Sequence, residues 1–280
     1  DAAEDGNAEA VAKALRAAAD PNWTDTEGWT PLCLASQNGH LEVARLLVEA
    51  DAILDAPFLA SDGPPDSVSP LLLAAESGHV EVARLLCQAG APIDGRPSHQ
   101  DASSPLLAAA EGGTVELVRL LVKERADVNA ASGDFTPLLM AIHGDHVEVA
   151  RVLVAAGADV KLAAGRGRSP LLEAARLGSL AMVQLLWGAG AAQDMRTGDG
   201  NAPFEAAVDG GRSQVVQFLC QKKANVNLKS PDGKRPLEVA AHHGHMEVLN
   251  LLCSAGADVS LLSEEIRKLL RVAMRVGTGR

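Results

Sequence analysis

Aromatic residues are scarce in this 280-residue chain: phenylalanine and tryptophan together make up 2% of it, and tyrosine is absent. An ordinary single core of this length obtains much of its buried area from aromatic rings, so a core of that kind is not expected. Hydrophobic residues still account for 47% of the chain and charged residues for 22%, which predicts ordered structure throughout. We therefore expect small aliphatic side chains to fill the interior.

Long apolar runs and an excess of positive charge are also lacking. The longest apolar runs, such as residues 105–110, are far shorter than the roughly 20 residues that span a bilayer, and no basic and apolar leader stands at the start. The formal charge of −11 opposes general affinity for phosphate backbones, which depends on Lys and Arg. Nucleic acid and membrane insertion are therefore not expected.

Cysteine is rare as well, with four residues at positions 33, 87, 220 and 253 and no CxxC pair. This usage fits a reducing compartment better than a secreted disulfide scaffold. We expect a cytoplasmic or nuclear protein, and no targeting signal is visible.

One short pattern recurs seven times: a proline, mostly preceded by Ser or Thr and followed by Leu or Phe. The intervals between these prolines are 39, 35, 32, 33, 33 and 33 residues. Each proline is followed by an alanine-rich segment, a glycine and an apolar-periodic segment that ends in Leu-Leu-like residues, which predicts a helix–loop–helix unit. The prolines are Pro31, Pro70, Pro105, Pro137, Pro170, Pro203 and Pro236.

Local chemistry predicts where the first helix of each unit begins and ends. Proline suits the first turn, where its missing N–H costs nothing, and the Ser or Thr before it can cap the helix. A glycine at the far end can adopt the left-handed conformation that stops a helix. The glycines expected in this role are Gly39, Gly78, Gly113, Gly144, Gly178, Gly211 and Gly244.

The chain resembles the ankyrin-repeat family in segments such as Thr30-Pro31-Leu32, Asn38-Gly39-His40-Leu41-Glu42 and Gly157-Ala158-Asp159-Val160. That family has a period of about 33 residues and a Thr-Pro-Leu-His-x-Ala start. The resemblance implies an all-α solenoid of helix-turn-helix units joined by β-turn or hairpin fingers, with about eight repeats and a C-terminal capping helix. The consensus His of the start is absent throughout, and so is the Thr–His hydrogen bond typical of the family. The position of the consensus His is occupied by Cys33, Leu72, Leu107, Leu139, Leu172, Glu205 and Glu238.

We expect the array to span residues 1–262, with a partial repeat over 1–27 and full repeats starting near 28, 67, 102, 134, 167, 200 and 233. Residues 263–280 are expected to form a capping helix and a tail, because Ser263 and Glu264 suit a capped start and Ile266 and Leu269 belong to one apolar stripe. A single unit cannot bury its apolar face, so stability is expected to come from stacked neighbours.

No residue pattern indicates catalysis. There is no Gly-rich phosphate loop after a strand, and no nucleophile stands beside a base in a recognisable frame. The cluster of His242, His243 and His245 could suggest a metal site on another scaffold, but His245 occupies a Gly-His position shared by other units and no carboxylate or Cys accompanies the cluster at ligand spacing. We expect no catalytic residue, no metal and no cofactor.

Three cysteines, Cys87, Cys220 and Cys253, share one packing position of the second helix. They are expected to be buried as small hydrophobic residues rather than to react. Cys220 and Cys253 belong to adjacent units, whose equivalent atoms lie roughly 10 Å apart, which is beyond the reach of a disulfide.

The resemblance also implies a binding surface: turn tips and the exposed side of the first helix line a concave face. These positions vary between units while the framework stays constant, which a recognition surface requires and which neutral drift would equally produce. The partner-binding candidates are Trp29, Gln37, Asn38, Phe58, Glu76, Glu111, Phe135, His143, Arg166, Arg168, Arg176, Asp209, Lys234 and His242.

Two groups of candidates rise above the background. Trp29 and Phe135 are large apolar residues at turn positions, where they are either interface hot spots or fold against their own hairpins. Arg166, Arg168 and Arg176 form a positive spot that either receives an acidic or phosphorylated segment of a partner or is a solvated charge cluster.

The longest interval between prolines contains an insertion of six residues relative to a period of 33. It places residues 55–67, with Phe58, Leu59, Pro64 and Pro65, in an extended finger. Such an insertion is either functional or a tolerated surface extension.

We expect a non-catalytic scaffold, adaptor or inhibitor that binds a protein or peptide. The alternative is a substrate-targeting or regulatory arm of a larger enzyme or channel, since the chain starts at Asp1 rather than at Met. A third hypothesis is a small-molecule or metal sensor built on His242, His243 and His245.

Overall fold

The chain folds into short α-helices that come in pairs. The structure, a computed structural model, describes residues 2–55, 68–95, 103–162, 169–191, 203–230 and 232–261, together with Glu264 and Arg267. The helices are α1 Ala8–Arg16, α2 Pro31–Gln37, α3 Leu41–Glu49, α4 Pro70–Glu76, α5 Val80–Gln88, α6 Pro105–Glu111, α7 Val115–Lys123, α8 Pro137–His143, α9 Val147–Ala155, α10 Pro170–Leu177, α11 Leu180–Gly188, α12 Pro203–Asp209, α13 Ser213–Gln221, α14 Pro236–His242 and α15 Met246–Ser254. A 3-10 turn follows at Val259–Leu261. The predicted all-α repeat solenoid is confirmed, and the described residues contain no strand.

The predicted helix caps are confirmed wherever Ser or Thr precedes the proline. The Thr30 hydroxyl accepts a hydrogen bond from the Cys33 N–H at 3.2 Å, and Ser69, Ser104, Thr136 and Ser169 accept equivalent bonds. At α14 an arginine stands before the proline, and the Glu238 carboxylate instead accepts from the Arg235 N–H at 2.8 Å. Each cap satisfies one backbone group that the helix leaves unpaired.

Within each compact part of the chain, a proline-led helix packs on the second helix of its own pair, and neighbouring proline-led helices pack on each other. In this way α2 contacts α3 and α4, and α4 contacts α5 and α6. Most of the interior between them is leucine, valine and alanine, for example Leu71, Ala74 and Leu86, which are fully buried. The aromatic-poor composition is therefore matched by close packing of small side chains.

Glycine ends the proline-led helices at six of the seven expected positions, with φ between 67° and 91°. The expectation for Gly144 is wrong: its φ is −80°, and the next residue, Asp145, takes the left-handed conformation with φ 55°. Asp145 stands eight residues after Pro137, as Gly39 stands eight residues after Pro31. Aspartate is among the few non-glycine residues that tolerate this conformation.

The contacts divide the chain into two compact units, residues 1–158 and residues 159–280. Unit 1 contains α1 to α9, and unit 2 contains α10 to α15. Within unit 2, α10 packs on α11 and α12, and α14 packs on α12 and α15.

Where the links between pairs are described, turns stand in the places where fingers were predicted. In the described turns, Ser132 and Phe135 form an isolated antiparallel bridge, and the Asp25 and Ser230 N–H groups donate to the carbonyls of Trp29 and Lys234. Side chains also link successive turns: Asp94 Oδ1 accepts from the Asp127 N–H at 2.9 Å.

Two predicted features lie outside the described residues. The insertion is described only at Asp55, and the predicted capping helix is described only at Glu264 and Arg267. No helix in the described parts of the chain has the length and apolarity needed to cross a membrane.

Candidate functional site

The structure places most of the predicted binding residues at the surface. The proline-led helices set the positions of many of them, since the residue six positions after each proline lies in the last turn of the helix. Exposed are Gln37, Asn38, Glu76, Glu111, Arg176, Asp209, Lys234 and His242; half-buried are Trp29, Phe135 and His143; Phe58, Arg166 and Arg168 lie outside the described residues. We call Gln37, Asn38, Glu76, Glu111 and His143 the unit 1 strip, and Arg176, Asp209 and His242 the unit 2 strip.

At four positions of the two strips, the backbone carbonyl is bound by a side chain of the following helix pair. The Nε2 atom of His79 donates to the Gln37 carbonyl oxygen at 3.1 Å, because a carbonyl can only accept. The Nε2 atom of His146 donates in the same way to Glu111 at 2.9 Å. In unit 2 the same tie recurs: His245 bonds to the Asp209 carbonyl at 2.9 Å, and Arg212 Nε donates to the Arg176 carbonyl at 3.0 Å. His40 makes the first of these ties, to Glu4, at 2.8 Å.

Sequence reasoning did not find these ties. The recurrence of His after Gly was visible and is the signal that could have indicated a shared role for His40, His79, His146 and His245. Arg212 takes the same role without that signal, because its guanidinium carries an N–H that reaches the same carbonyl. The bond to the preceding pair is therefore a property of this position in the repeat, and either His or Arg can make it.

The rings of these histidines lie against the glycines of the preceding pair. A Cβ added to Gly39 would lie 2.5 Å from Nδ1 of His79, and one added to Gly113 would lie 2.5 Å from Cε1 of His146. Gly39 and Gly113 are therefore required for two reasons: their backbone is left-handed, and a side chain would occupy the space of the histidine ring.

The unit 1 strip carries negative charge. Partial burial raises the pKa of Glu76 above its usual range, and the carboxylate of Glu111 on the next helix pair raises it further. A positive group of a partner placed near both carboxylates would be attracted by them and would favour their ionised forms. The strip is thus electrostatically suited to a basic segment.

In the unit 2 strip the charge of Arg176 is already engaged. Its Nε and Nη2 atoms donate to Oε2 of Glu173 at 3.0 and 2.8 Å, and Glu173 is only 5% exposed. Arg176 therefore contributes less free positive charge than the sequence indicates. Its two predicted companions, Arg166 and Arg168, lie outside the described residues.

The two aromatic candidates are both half-buried, but in different surroundings. Phe135 meets the ring of His143 edge to face, with centroids 5.9 Å apart, so two predicted site residues touch within one helix pair. The backbone N–H of Trp29 donates to Asp25 Oδ1 at 2.8 Å, which fixes the turn that carries the indole.

The histidine cluster of unit 2 is held by packing and by Asp209. The rings of His243 and His245 are stacked with centroids 5.7 Å apart, and His243 Nε2 lies 3.3 Å from Asp209 Oδ1. Across the described residues, no three His, Cys, Asp or Glu side chains are grouped so that they could hold a metal ion.

The four cysteines are free thiols. Burial raises the pKa of each, and that of Cys87 rises to about 11, with the charge of Glu124 adding to the effect. A thiol with a raised pKa holds its proton at neutral pH and is a poor nucleophile. This agrees with the packing role expected for Cys87, Cys220 and Cys253, although the three are half-buried rather than fully buried.

Comparison with known proteins gives one finding. A family model described as ankyrin repeats (3 copies) matches residues 1–97, 93–164 and 171–262. A search of curated proteins found no match.

Proposed function

The chain belongs to the ankyrin-repeat family, and we propose that it is a non-catalytic scaffold or adaptor that binds a partner protein or peptide through its concave face and finger tips. Ankyrin repeats generally act as protein–protein interaction modules, and the family is typically non-catalytic. The proposal extends this general role to particular residues of the two strips.

One observation carries the proposal: at four strip positions the backbone carbonyl is bound by the next helix pair, while the side chain is exposed and differs between pairs. The carbonyls of Gln37, Glu111 and Asp209 are bound by the next helix pair, yet their side chains, an amide and two carboxylates, are exposed. A surface whose backbone is already ordered loses little entropy on binding, so most of the interaction energy is available for affinity.

The chemistry of the partner follows from charge. We propose that the unit 1 strip receives a basic segment, because Glu76 and Glu111 lie on neighbouring helix pairs. The acidic or phosphorylated segment expected for Arg166, Arg168 and Arg176 stays a proposal for that separate place, where Arg176 already pairs with Glu173.

The experiment compares affinity capture by three versions of the chain, with quantification of the captured proteins by mass spectrometry. The strip variant carries Glu76→Lys and Glu111→Lys. We expect a defined set of proteins to bind the wild type, and the strip variant to capture about tenfold less of it, since reversing two contacting charges costs at least about 1.4 kcal/mol.

A matched control carries Glu49→Lys and Glu124→Lys, which make the same change in net charge at exposed ends of second helices. The control should capture the same set as the wild type. Undiminished capture by the strip variant would contradict the choice of surface.

A separate variant, with Arg166→Glu and Arg168→Glu, tests whether these arginines receive an acidic or phosphorylated segment. Arg176 is left in place because replacing it would also break the ion pair with the buried Glu173. Selective loss of acidic or phosphorylated proteins from the captured set is the expected result, and an unchanged set would remove the arginine hypothesis alone.

We also propose a cytoplasmic or nuclear location, which the four free cysteines support. Imaging of the tagged chain in cells tests it, and a secreted or lumenal signal would contradict it.

A further inference from the structure

Two neighbouring second helices of unit 2, α11 and α13, carry no charge. Neither Leu180–Gly188 nor Ser213–Gln221 contains an Asp, Glu, Lys or Arg, although charged residues make up 22% of the chain. The two helices contact each other, so their exposed sides lie next to one another. We call their exposed residues the neutral face; they are Ala181, Gln184, Gly188, Gln214, Gln217 and Gln221.

The second helices of unit 1 carry charge at the equivalent positions. Each of α3, α5, α7 and α9 has Glu at its second position and Arg at its fifth, as Glu42 and Arg45 in α3. In α3, α5 and α9 the two residues are ion-paired, at 3.2 to 3.5 Å. Those positions are Ala181 and Gln184 in α11, and both are glutamine in α13. The repeat itself therefore does not require an uncharged surface at this place.

Two half-buried aromatic rings lie between the helices of the neutral face. Trp187 of α11 and Phe218 of α13 meet edge to face, with centroids 6.0 Å apart. Just after α13, the Nζ atom of Lys222 lies 5.4 Å from the centre of the Phe218 ring. The core of a protein interface is typically depleted of charge and enriched in aromatic residues, while its rim is polar. The neutral face has this composition, with rings between its helices and a lysine at the end of one of them.

A surface without charge is poorly suited to a basic or an acidic segment, but it is suited to a second copy of itself. In a symmetric dimer the same patch of both copies forms the contact, so charges near the symmetry axis would face their like. Copies with a net charge of −11 repel one another, and a face without charge lets them approach there. Glutamine fits such a contact, because its amide carries both donors and an acceptor and can pair with another glutamine.

From these observations we propose that the neutral face is the contact between two copies of the chain in a symmetric dimer, with glutamine amides paired across it beside the rings of Trp187 and Phe218. The contact spans two short helices, so a weak dimer that forms with rising concentration is expected. This inference goes beyond the binding of a partner at the strips and names a separate surface.

Analytical ultracentrifugation of the whole chain, from micromolar to millimolar concentration, tests the dimer. We expect the wild type to pass from monomer to dimer. An acidic variant, Gln184→Glu with Gln217→Glu, and a basic variant, Gln184→Lys with Gln217→Lys, should each dimerise about tenfold more weakly, because like charges then meet. Mixed in equal amounts, the two variants should associate again, since opposite charges then face each other. Loss of folding would not be reversed by mixing.

A matched control carries Gln88→Glu and Ala155→Glu, which make the same change in net charge as the acidic variant at exposed positions of second helices in unit 1. The control should dimerise as the wild type does. A second measurement needs no variant: amide hydrogen exchange of residues 180–188 and 213–221 in the wild type should slow as the concentration rises.

The outcomes separate this proposal from the strips. A chain that stays monomeric at every concentration overturns the dimer and leaves the capture experiment with Glu76 and Glu111 unaffected. A dimer that both charged variants retain also overturns it, because the contact then lies elsewhere. A mixture of the two variants that does not associate would mean that the neutral face does not meet itself, which overturns the symmetric contact.

Discussion

Ser36 lies fully buried in α2, where α4 and α6 carry Ala75 and Ala110 at the same position after the proline. Its hydroxyl has no hydrogen-bond partner in the structure. A buried hydroxyl without a partner loses its bonds to water and receives nothing in return. Replacing this one interior residue is therefore expected to raise the stability of the protein without changing its fold.

We predict that Ser36→Ala raises the free energy of unfolding by about 1 kcal/mol, because alanine removes the unpaired hydroxyl and fills the same helix position. Urea denaturation followed by circular dichroism measures the change. The reciprocal variant Ala75→Ser is the matched control and should lower the free energy of unfolding. A loss of stability in Ser36→Ala would contradict the prediction.

Helix ends depend on contacts between pairs as well as on local conformation. Gly39 and Gly157 both have positive φ, at 74° and 94°. A Cβ on Gly157 would meet nothing within 4 Å, whereas one on Gly39 would collide with the ring of His79. Comparing substitutions at Gly39 and Gly157 therefore separates two costs: the conformational cost of replacing glycine, and the cost of displacing the His79 ring that ties two helix pairs together.

We predict that Gly157→Ala lowers the free energy of unfolding by about 1 kcal/mol and Gly39→Ala by about 2 kcal/mol. The excess at Gly39 should disappear when the substitution is made in a His79→Ala background, as a double-mutant cycle in urea would show. Equal losses at Gly39 and Gly157 would mean that the His79 ring moves aside at no cost.

The two compact units each have helix pairs and a buried interior of their own. In a repeat array, stability is approximately the sum of the repeats and of the interfaces between neighbours, so a run of several pairs can fold alone. Unit 1, with α1 to α9, meets this condition.

We predict that residues 1–158 expressed alone give a helical circular dichroism spectrum and a cooperative urea transition. Leu106 is fully buried in α6, and Leu106→Ala in the same fragment should destabilise it by about 3 kcal/mol, which shows that the transition reports the native interior. A fragment with a helical signal that fades without a transition would contradict the prediction.

Most of the architecture could be predicted because its causes are local and repeated. The helix signals act within a few residues of one another: a proline in the first turn, Ser or Thr before it, and a glycine after the helix. The roles of Thr30, Pro31 and Gly39 could therefore be predicted from the sequence. The resemblance to the ankyrin-repeat family, carried onto the positions of the prolines, implied that Gln37, Glu76 and Glu111 are exposed, and they are. The prediction failed at Gly144 because it followed the residue type instead of the register: the left-handed residue stands eight positions after the proline, and that position is occupied by Asp145.

The order of the residues alone was sufficient for the helix pairs and their caps, because each follows from short-range rules repeated along the chain. The same repetition carried the family resemblance, which in turn implied the variable surface positions. Folding in three dimensions was needed for the bonds from His79 and Arg212 to the preceding pair. These bonds join groups on different elements of the chain. Their distances depend on how the elements pack, which no local rule specifies.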